Sequence, residues 1–199
     1  MTKRIFDILS SAIAVVLLSP VMAIIAIAVR RDSDGPAIFR QQRVGRGGKP
    51  FTLLKFRSMT SAPSTTSGPL VTAAGDSRVT RVGGFLRSTK LDELPQLVNV
   101  LRGDMSIVGP RPEVAKYVAL WAQDEREVIL LVRPGITDPV TLKLRREEEL
   151  LAQQSDPEGY YRTVLLPNKA RMYAEYVESQ SFVGDLGVVA RTLAELIRR

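Results

Sequence analysis

"VVLLSPVMAII", residues 15–25, sets Ser19 and Pro20 in the middle of an apolar run. Between Asp7 and Arg30 lie 22 residues without a charge. As an α-helix rising about 1.5 Å per residue they reach roughly 33 Å, the depth of one hydrocarbon core. By length alone the run is a transmembrane helix. Proline inside it removes a backbone donor and clashes with the carbonyl four residues back. This predicts a kink near Val16 and leaves the Ser19 hydroxyl available for a released carbonyl.

The flanks do not orient the run, because Lys3 and Arg4 precede it and Arg30 and Arg31 follow it, so both ends carry the charge of a cytoplasmic side. Three readings fit the residues. A helix, break, helix hairpin that enters one leaflet and returns puts both basic flanks on one face. A kinked span puts one pair on the far side. A secretory signal peptide would use Ala26-Ile27-Ala28 as a cleavage-like site, although its apolar region exceeds the usual length of about 7–15 residues.

Composition narrows the chemistry of the remaining residues, which suffice for one domain of ordinary size. Among the 199 residues there is no cysteine, which excludes disulfides, zinc thiolates and cysteine nucleophiles and fits a reducing compartment. There is no histidine either, so serine–histidine triads, histidine bases and histidine-ligated metals are excluded. Catalysis would rest on carboxylates, Lys, Arg, hydroxyls or a hard cation held by oxygen.

Charge is uneven along the chain. Residues 1–112 hold 16 Lys/Arg against 7 Asp/Glu, whereas residues 113–160 hold 6 against 10. Within residues 30–57 the balance is 8 to 2, beside the apolar run, as expected of a segment on anionic headgroups. Nucleic acid is not expected as a partner, since only Phe39, Phe51 and Phe56 interleave these basic residues and the apolar run accounts for their position.

Beyond the run, "PAIFRQQRVGRGGKPFTLLKFRSM" (36–59) reads as two short strands around a glycine-rich turn, which lacks phosphate-loop spacing. Residues 60–77 form a Ser/Thr/Pro/Gly loop expected to be mobile. Helical patterns follow at 91–101, 114–131, 143–154 and 167–179. In the tail, Leu186, Val189, Leu193, Leu196 and Ile197 share one helical face, suited to a core or to a membrane surface.

"STKLDELPQL" (88–97) carries the densest chemistry. Pro95 fits only the first turn of a helix, which puts Asp92 and Glu93 at or beside its N-cap. Free N–H groups and the helix dipole there favour anions, and two adjacent carboxylates at a helix start can share a metal ion or divide two roles. A capping Asp with a solvated Glu is the plainer reading. "RGDMSIVGPRP" (102–112) holds Arg111 between two prolines, limiting the freedom of a group suited to bidentate phosphate binding. Lys55 and Arg57 alternate along a strand, and Arg133 in "RPG" and Arg145 are further candidate phosphate ligands.

"KFRSM", "DELPQLVNVLRGDMSIVGPRP" and "RPGIT", in that order behind "KRIFDI…LLSP", resemble the bacterial sugar transferase family of small monotopic phosphoglycosyl transferases. The resemblance covers most of residues 3–137 and continues to "SFVGDL" at 181–186. It implies transfer of a sugar 1-phosphate from a UDP-sugar to polyprenyl phosphate with release of UMP, dependence on Mg²⁺, and work at the cytoplasmic face of the bacterial inner membrane. It implies a re-entrant helix broken at Ser19-Pro20, and so favours the hairpin among the three readings. Asp92 matches the family's nucleophile and Glu93 its acidic partner. Lys55, Arg57, Arg87, Arg111, Arg145 and Asp185 fall on positions that the family uses around the phosphates and the metal, with Glu93, Asp92 and Asp185 as the expected metal ligands.

The expected architecture is therefore α+β and mostly helical: a re-entrant membrane segment (1–31) and a compact cytosolic, membrane-associated catalytic domain (32–199) with a short β-hairpin. Membrane lipid is an expected partner, and a homodimer stays open. With histidine and cysteine absent, a carboxylate nucleophile is one of few routes left to phosphoryl transfer. The chain departs from the family where "PGITDPVTLKLRREEE" replaces the usual continuation of "PGITG", which leaves the sugar unassigned. The competing class is a basic membrane- or polyanion-binding module without catalysis.

Overall fold

The computed structural model describes residues 2–60, 72–144 and 146–197. The expected 60–77 loop falls largely outside them, as does Arg145. The loop's ends meet through Thr60 N–H, which donates to the Arg78 carbonyl at 2.8 Å.

Helix α1 (Thr2–Asp32) runs through Pro20 as one assigned helix, so the sequence break does not divide it in two. Proline deprives the Val16 carbonyl of its N–H partner. The Ser19 hydroxyl donates to that same oxygen at 2.8 Å and takes the missing donor's place. At about 1.5 Å per residue α1 is roughly 46 Å long, and its middle is bare: Ile13, Val16, Leu17, Val21 and Ile24 are exposed.

Both ends of α1 are fastened to the rest of the chain. Near its start, Arg4 donates to the Val100 carbonyl at 2.8 Å and the Met105 carbonyl at 3.3 Å. Asp7, buried, accepts from the Ser106 hydroxyl at 2.8 Å and the Ile107 N–H at 3.1 Å. Near its end, Ile25 and Val29 are buried with Ala37, Phe56 and Leu86, and Arg57 donates to the carbonyls of Val29, Ser33 and Pro36 at 3.1, 2.6 and 2.7 Å. A cation on the last carbonyls of a helix satisfies groups that have no intrahelical partner and meets the negative end of the dipole.

Strands β1 (Ile38–Val44) and β2 (Pro50–Phe56) form the expected antiparallel hairpin, Ile38 facing Phe56 and Val44 facing Pro50. Helix α2 (Arg81–Thr89) starts at Thr80, whose side chain accepts from Gly83 N–H, while Asp32 of α1 accepts from Val82 N–H at 3.0 Å. Helix α3 (Gln96–Arg102) follows, shorter than the pattern at 91–101 because Leu91–Glu93 forms a separate 3₁₀ turn. Strand β3 (Ser106–Val108) comes next.

The pattern at 114–131 divides into α4 (Ala115–Val118) and α5 (Gln123–Ile129), because Ala122 takes extended backbone between them. Trp121 and Ile129 thereby both reach the core. Strand β4 (Gly135–Thr137) pairs in parallel with β3. The remaining helices are α6 (Pro139–Lys143), α7 (Glu147–Ala152), α8 (Pro157–Tyr160), α9 (Leu166–Glu178) and α10 (Phe182–Ile197).

The largest core gathers Tyr117, Trp121, Leu151, Leu166 and Tyr173, among others, from α4 to α9. Helix α10 is turned inside out with respect to a soluble helix. Asp185 and Val188 are its buried residues, and Thr192 shares a hydrogen bond with Thr137, whereas Val183, Leu186, Leu193 and Leu196 are exposed. Of the two roles open to the tail's apolar face, core packing is not the one it takes.

Candidate active site

The carboxylates sit in the short link 90–95 that joins α2 to α3. Helix α2 ends at Lys90, the one non-glycine residue with positive φ among those described (φ 59°, ψ 14°), and the turn Leu91–Glu93 follows at once. Pro95 stands at the N-cap of α3, as its missing N–H requires. Asp92 and Glu93 are both buried.

Strand β2 supplies the first cation. Its outer edge is held by Asn99 of α3, whose Oδ1 accepts from Leu54 N–H at 3.0 Å and whose Nδ2 donates to the Thr52 carbonyl at 2.8 Å. That clamp carries Lys55 to the turn, where its Nζ lies 2.8 Å from Glu93 Oε1 and 3.9 Å from Asp92 Oδ2.

The loop after β3 supplies the second. Gly109 N–H donates to the Thr137 carbonyl at 3.1 Å, Gly135 N–H to the Pro110 carbonyl at 2.9 Å, and Arg43 to the Pro112 carbonyl at 3.1 Å. A Cβ on Gly135 would meet Gly109 N at 2.1 Å, so the approach requires glycine. Held at both sides, Arg111 donates to Glu93 Oε1 at 2.7 Å.

The two neighbours thus have different electrostatics. Burial pushes Glu93 upward, but Arg111 and Lys55 outweigh it and hold the carboxylate well below its usual range. Glu93 in turn raises Arg111 well above its usual value. Asp92 is raised by burial, only partly offset by Lys55, and its Oδ1 is buried without a hydrogen-bond partner. Gln96 Nε2, four residues on, is likewise buried and unpaired. A carboxylate held ionised by two cations on one oxygen, as Glu93 is at Oε1, is their counter-ion, whereas one stripped of water with a free oxygen is suited to attack or to bind a cation.

The other expected residues lie elsewhere. Arg57 caps α1 as described, because the chain leaves β2 at Phe56 and the side chain turns inward. Arg87 pairs with Glu148, and Arg133 Nε donates to the Gly103 carbonyl at 2.8 Å, closing the turn after α3. Asp185 accepts from Lys3 and from the Tyr176 hydroxyl, the latter at 2.6 Å, and so joins α10 to α1 and α9. No three acidic side chains cluster as a cation site among the described residues. For a hard cation the fitting donors are Asp92, through its unpaired oxygen, and Glu93 beside it. Lys90 and Asn99 belong to the site although sequence reasoning did not single them out. Asn99 is legible as an amide on the buried side of an apolar helix, while nothing in the sequence marks Lys90.

Residues 1–199 match the bacterial sugar transferase family. The chain belongs to that family. It is 39% identical over 200 residues to UDP-glucose:undecaprenyl-phosphate glucose-1-phosphate transferase of Caulobacter vibrioides, covering 98% of this chain and 69% of the relative. It is 46% identical over 140 residues to UDP-N-acetylgalactosamine-undecaprenyl-phosphate N-acetylgalactosaminephosphotransferase of Aeromonas hydrophila, covering 68% and 32%. It is 35% identical over 213 residues to undecaprenyl-phosphate galactose phosphotransferase of Salmonella typhimurium, covering 99% and 40%. For the last two the alignment spans well under half of the relative's length. These bacterial sugar transferases share undecaprenyl phosphate in their names and differ in the sugar.

Proposed function

We propose that the chain transfers a sugar 1-phosphate from a UDP-sugar to undecaprenyl phosphate at the cytoplasmic face of a bacterial inner membrane. The observation that carries this reading is the buried, unpartnered Oδ1 of Asp92 beside the Lys55–Glu93–Arg111 ion pairs. Asp92 attacks the sugar-bearing phosphorus, the bond from that phosphorus to the bridging oxygen breaks, and UMP leaves with the electron pair. The resulting acyl phosphate on Asp92 is then attacked at phosphorus by an oxygen of undecaprenyl phosphate, which restores the carboxylate. Lys55 and Arg111 stand ready for charge that spreads over the phosphoryl oxygens. Mg²⁺ held by Asp92 and Glu93 would neutralise donor phosphate charge when bound.

The membrane reading rests on α1. Its first two turns bond to α3 and β3 and its last turns to Arg57, just after β2, and to α2, so a single domain holds both ends. A helix crossing the bilayer would need its ends on opposite faces; α1 supports the re-entrant form, with the bare centre at Ser19-Pro20 deepest. The outward apolar face of α10 and the Phe6–Phe182 edge contact, 5.6 Å between centroids, extend the same surface.

The test is UMP release by the full chain in nanodiscs with Mg²⁺, undecaprenyl phosphate and a panel of UDP-sugars. Release with at least one sugar, lowered about 10³-fold or more by Asp92→Asn, is expected. Release unchanged in Asp92→Asn overturns the nucleophile assignment. Salt-sensitive polyanion binding with no turnover would favour the non-catalytic module.

A further inference from the structure

A groove of about 700 Å³ opens between the C-terminal end of α1 and strand β1, away from the carboxylate turn. Ile27, Ile38 and Phe39 line its apolar walls, and Arg30, Arg40 and Arg57 line the rest, with no carboxylate among the lining residues. Arg30 and Arg40 are exposed. Among the described residues neither forms an ion pair or hydrogen bond, so both charges are available to a ligand in the groove. Arg57 is 95% buried, its relative exposure being 5%. Its two terminal nitrogens are committed to carbonyls, while its Nε–H is buried and has no partner.

The feature that points to an anionic ligand is the pair of exposed cationic side chains, Arg30 and Arg40, lining one groove without counter-ions, with the charge of the buried Arg57 behind them. The walls add a second requirement. Ile27 and Phe39 are exposed on the groove, and Arg30 is the first charge after the 22-residue apolar run, so the groove lies at the boundary between hydrocarbon and headgroup. A soluble nucleotide would leave the apolar wall uncovered, and an uncharged lipid would leave the arginines unanswered.

We propose that this groove binds the phosphate head of a membrane lipid, with the phosphate between Arg30 and Arg40 and the first carbons of the chain along Ile27, Ile38 and Phe39. The inference rests on the membrane reading of α1 given above. Phosphate on an apolar chain is the chemistry of the acceptor undecaprenyl phosphate and of anionic phospholipid alike.

The experiment uses the full chain in phosphatidylcholine nanodiscs, wild type beside Arg30→Ala/Arg40→Ala, with native mass spectrometry after addition of undecaprenyl phosphate or of phosphatidylglycerol. Retention of undecaprenyl phosphate lowered tenfold or more in the variant, with its KM raised and kcat within twofold, identifies the groove as an acceptor subsite. Loss of phosphatidylglycerol retention with the acceptor's KM unchanged identifies a bulk-lipid phosphate site. Equal retention of both lipids by wild type and variant overturns the proposal. Retention needs no turnover, so failure of the groove and failure of the transferase reading are read separately.

Discussion

At the residue scale, Asp92 and Glu93 are adjacent carboxylates with opposite stability signatures. Glu93 neutralises Lys55 and Arg111, so Glu93→Gln leaves two largely buried cations without a partner and is expected to cost about 3–5 kcal/mol, seen as a lower Tm. Asp92 is raised by burial and holds an unpaired oxygen; Asp92→Asn is expected to melt at the same temperature or higher while losing transfer. A falling Tm in Asp92→Asn would contradict this division of roles.

Asp138, where the chain departs from the usual family sequence, gives a pH prediction. Its carboxylate caps α6, accepting from Thr141 N–H and Oγ1, both at 2.6 Å, yet burial raises its pKa against those bonds. A raised carboxyl binds protons more readily folded than unfolded, so its contribution to stability falls as pH rises above the ordinary Asp value. Asp138→Asn keeps an acceptor for the cap and is expected to flatten this dependence in melting curves between pH 4 and 8, whereas Asp138→Ala loses the cap, about 0.5–2 kcal/mol.

At the scale of elements, the turn Leu91–Glu93 was hidden inside the helical pattern at 91–101, whereas the hairpin, the start of a helix at Pro95 and the tail helix were legible because periodicity, glycine and Pro95 mark them. Strands β3 and β4 were not, since three residues carry no period, and "RGDMSIVGPRP" and "RPGIT" read as loops until paired. Yet this pair aims Arg111, through the close passage of Gly109 and Gly135. Gly135→Ala is expected to displace Gly109 and abolish UMP release, with a fall in Tm. Gly187→Ala, at a helical site where an added Cβ meets nothing within 4 Å, is expected to be neutral or to stabilise by up to about 1 kcal/mol. Arg57 shows a different limit: alternation along β2 predicts its face only as far as the strand lasts, and the strand ends at Phe56. The inward turn that follows has no sequence signal.

At the scale of the whole molecule, apolar length and flanking charge alone leave a span and a hairpin both open, because apolar length is the same in each, and only the resemblance of motifs favours the hairpin. Contact between residues far apart in the chain bears on the choice, and no local pattern encodes it. Since the chain has no cysteine, single probes are clean. Thr2→Cys and Asp34→Cys, both at exposed positions, are expected to react with an impermeant maleimide from the same side of oriented membrane vesicles. Reaction from opposite sides would establish the span.

The bonds that fasten the first turns of α1 also set an order of events during synthesis. Arg4 and Asp7 reach partners about a hundred residues later, and Lys3 reaches Asp185, 182 positions away. The start of α1 is therefore made well before any of the partners that lock it. Its fastening then comes in two stages: Arg4 and Asp7 can be engaged once α3 and β3 have been made, whereas the contact of Lys3 waits for Asp185 of α10.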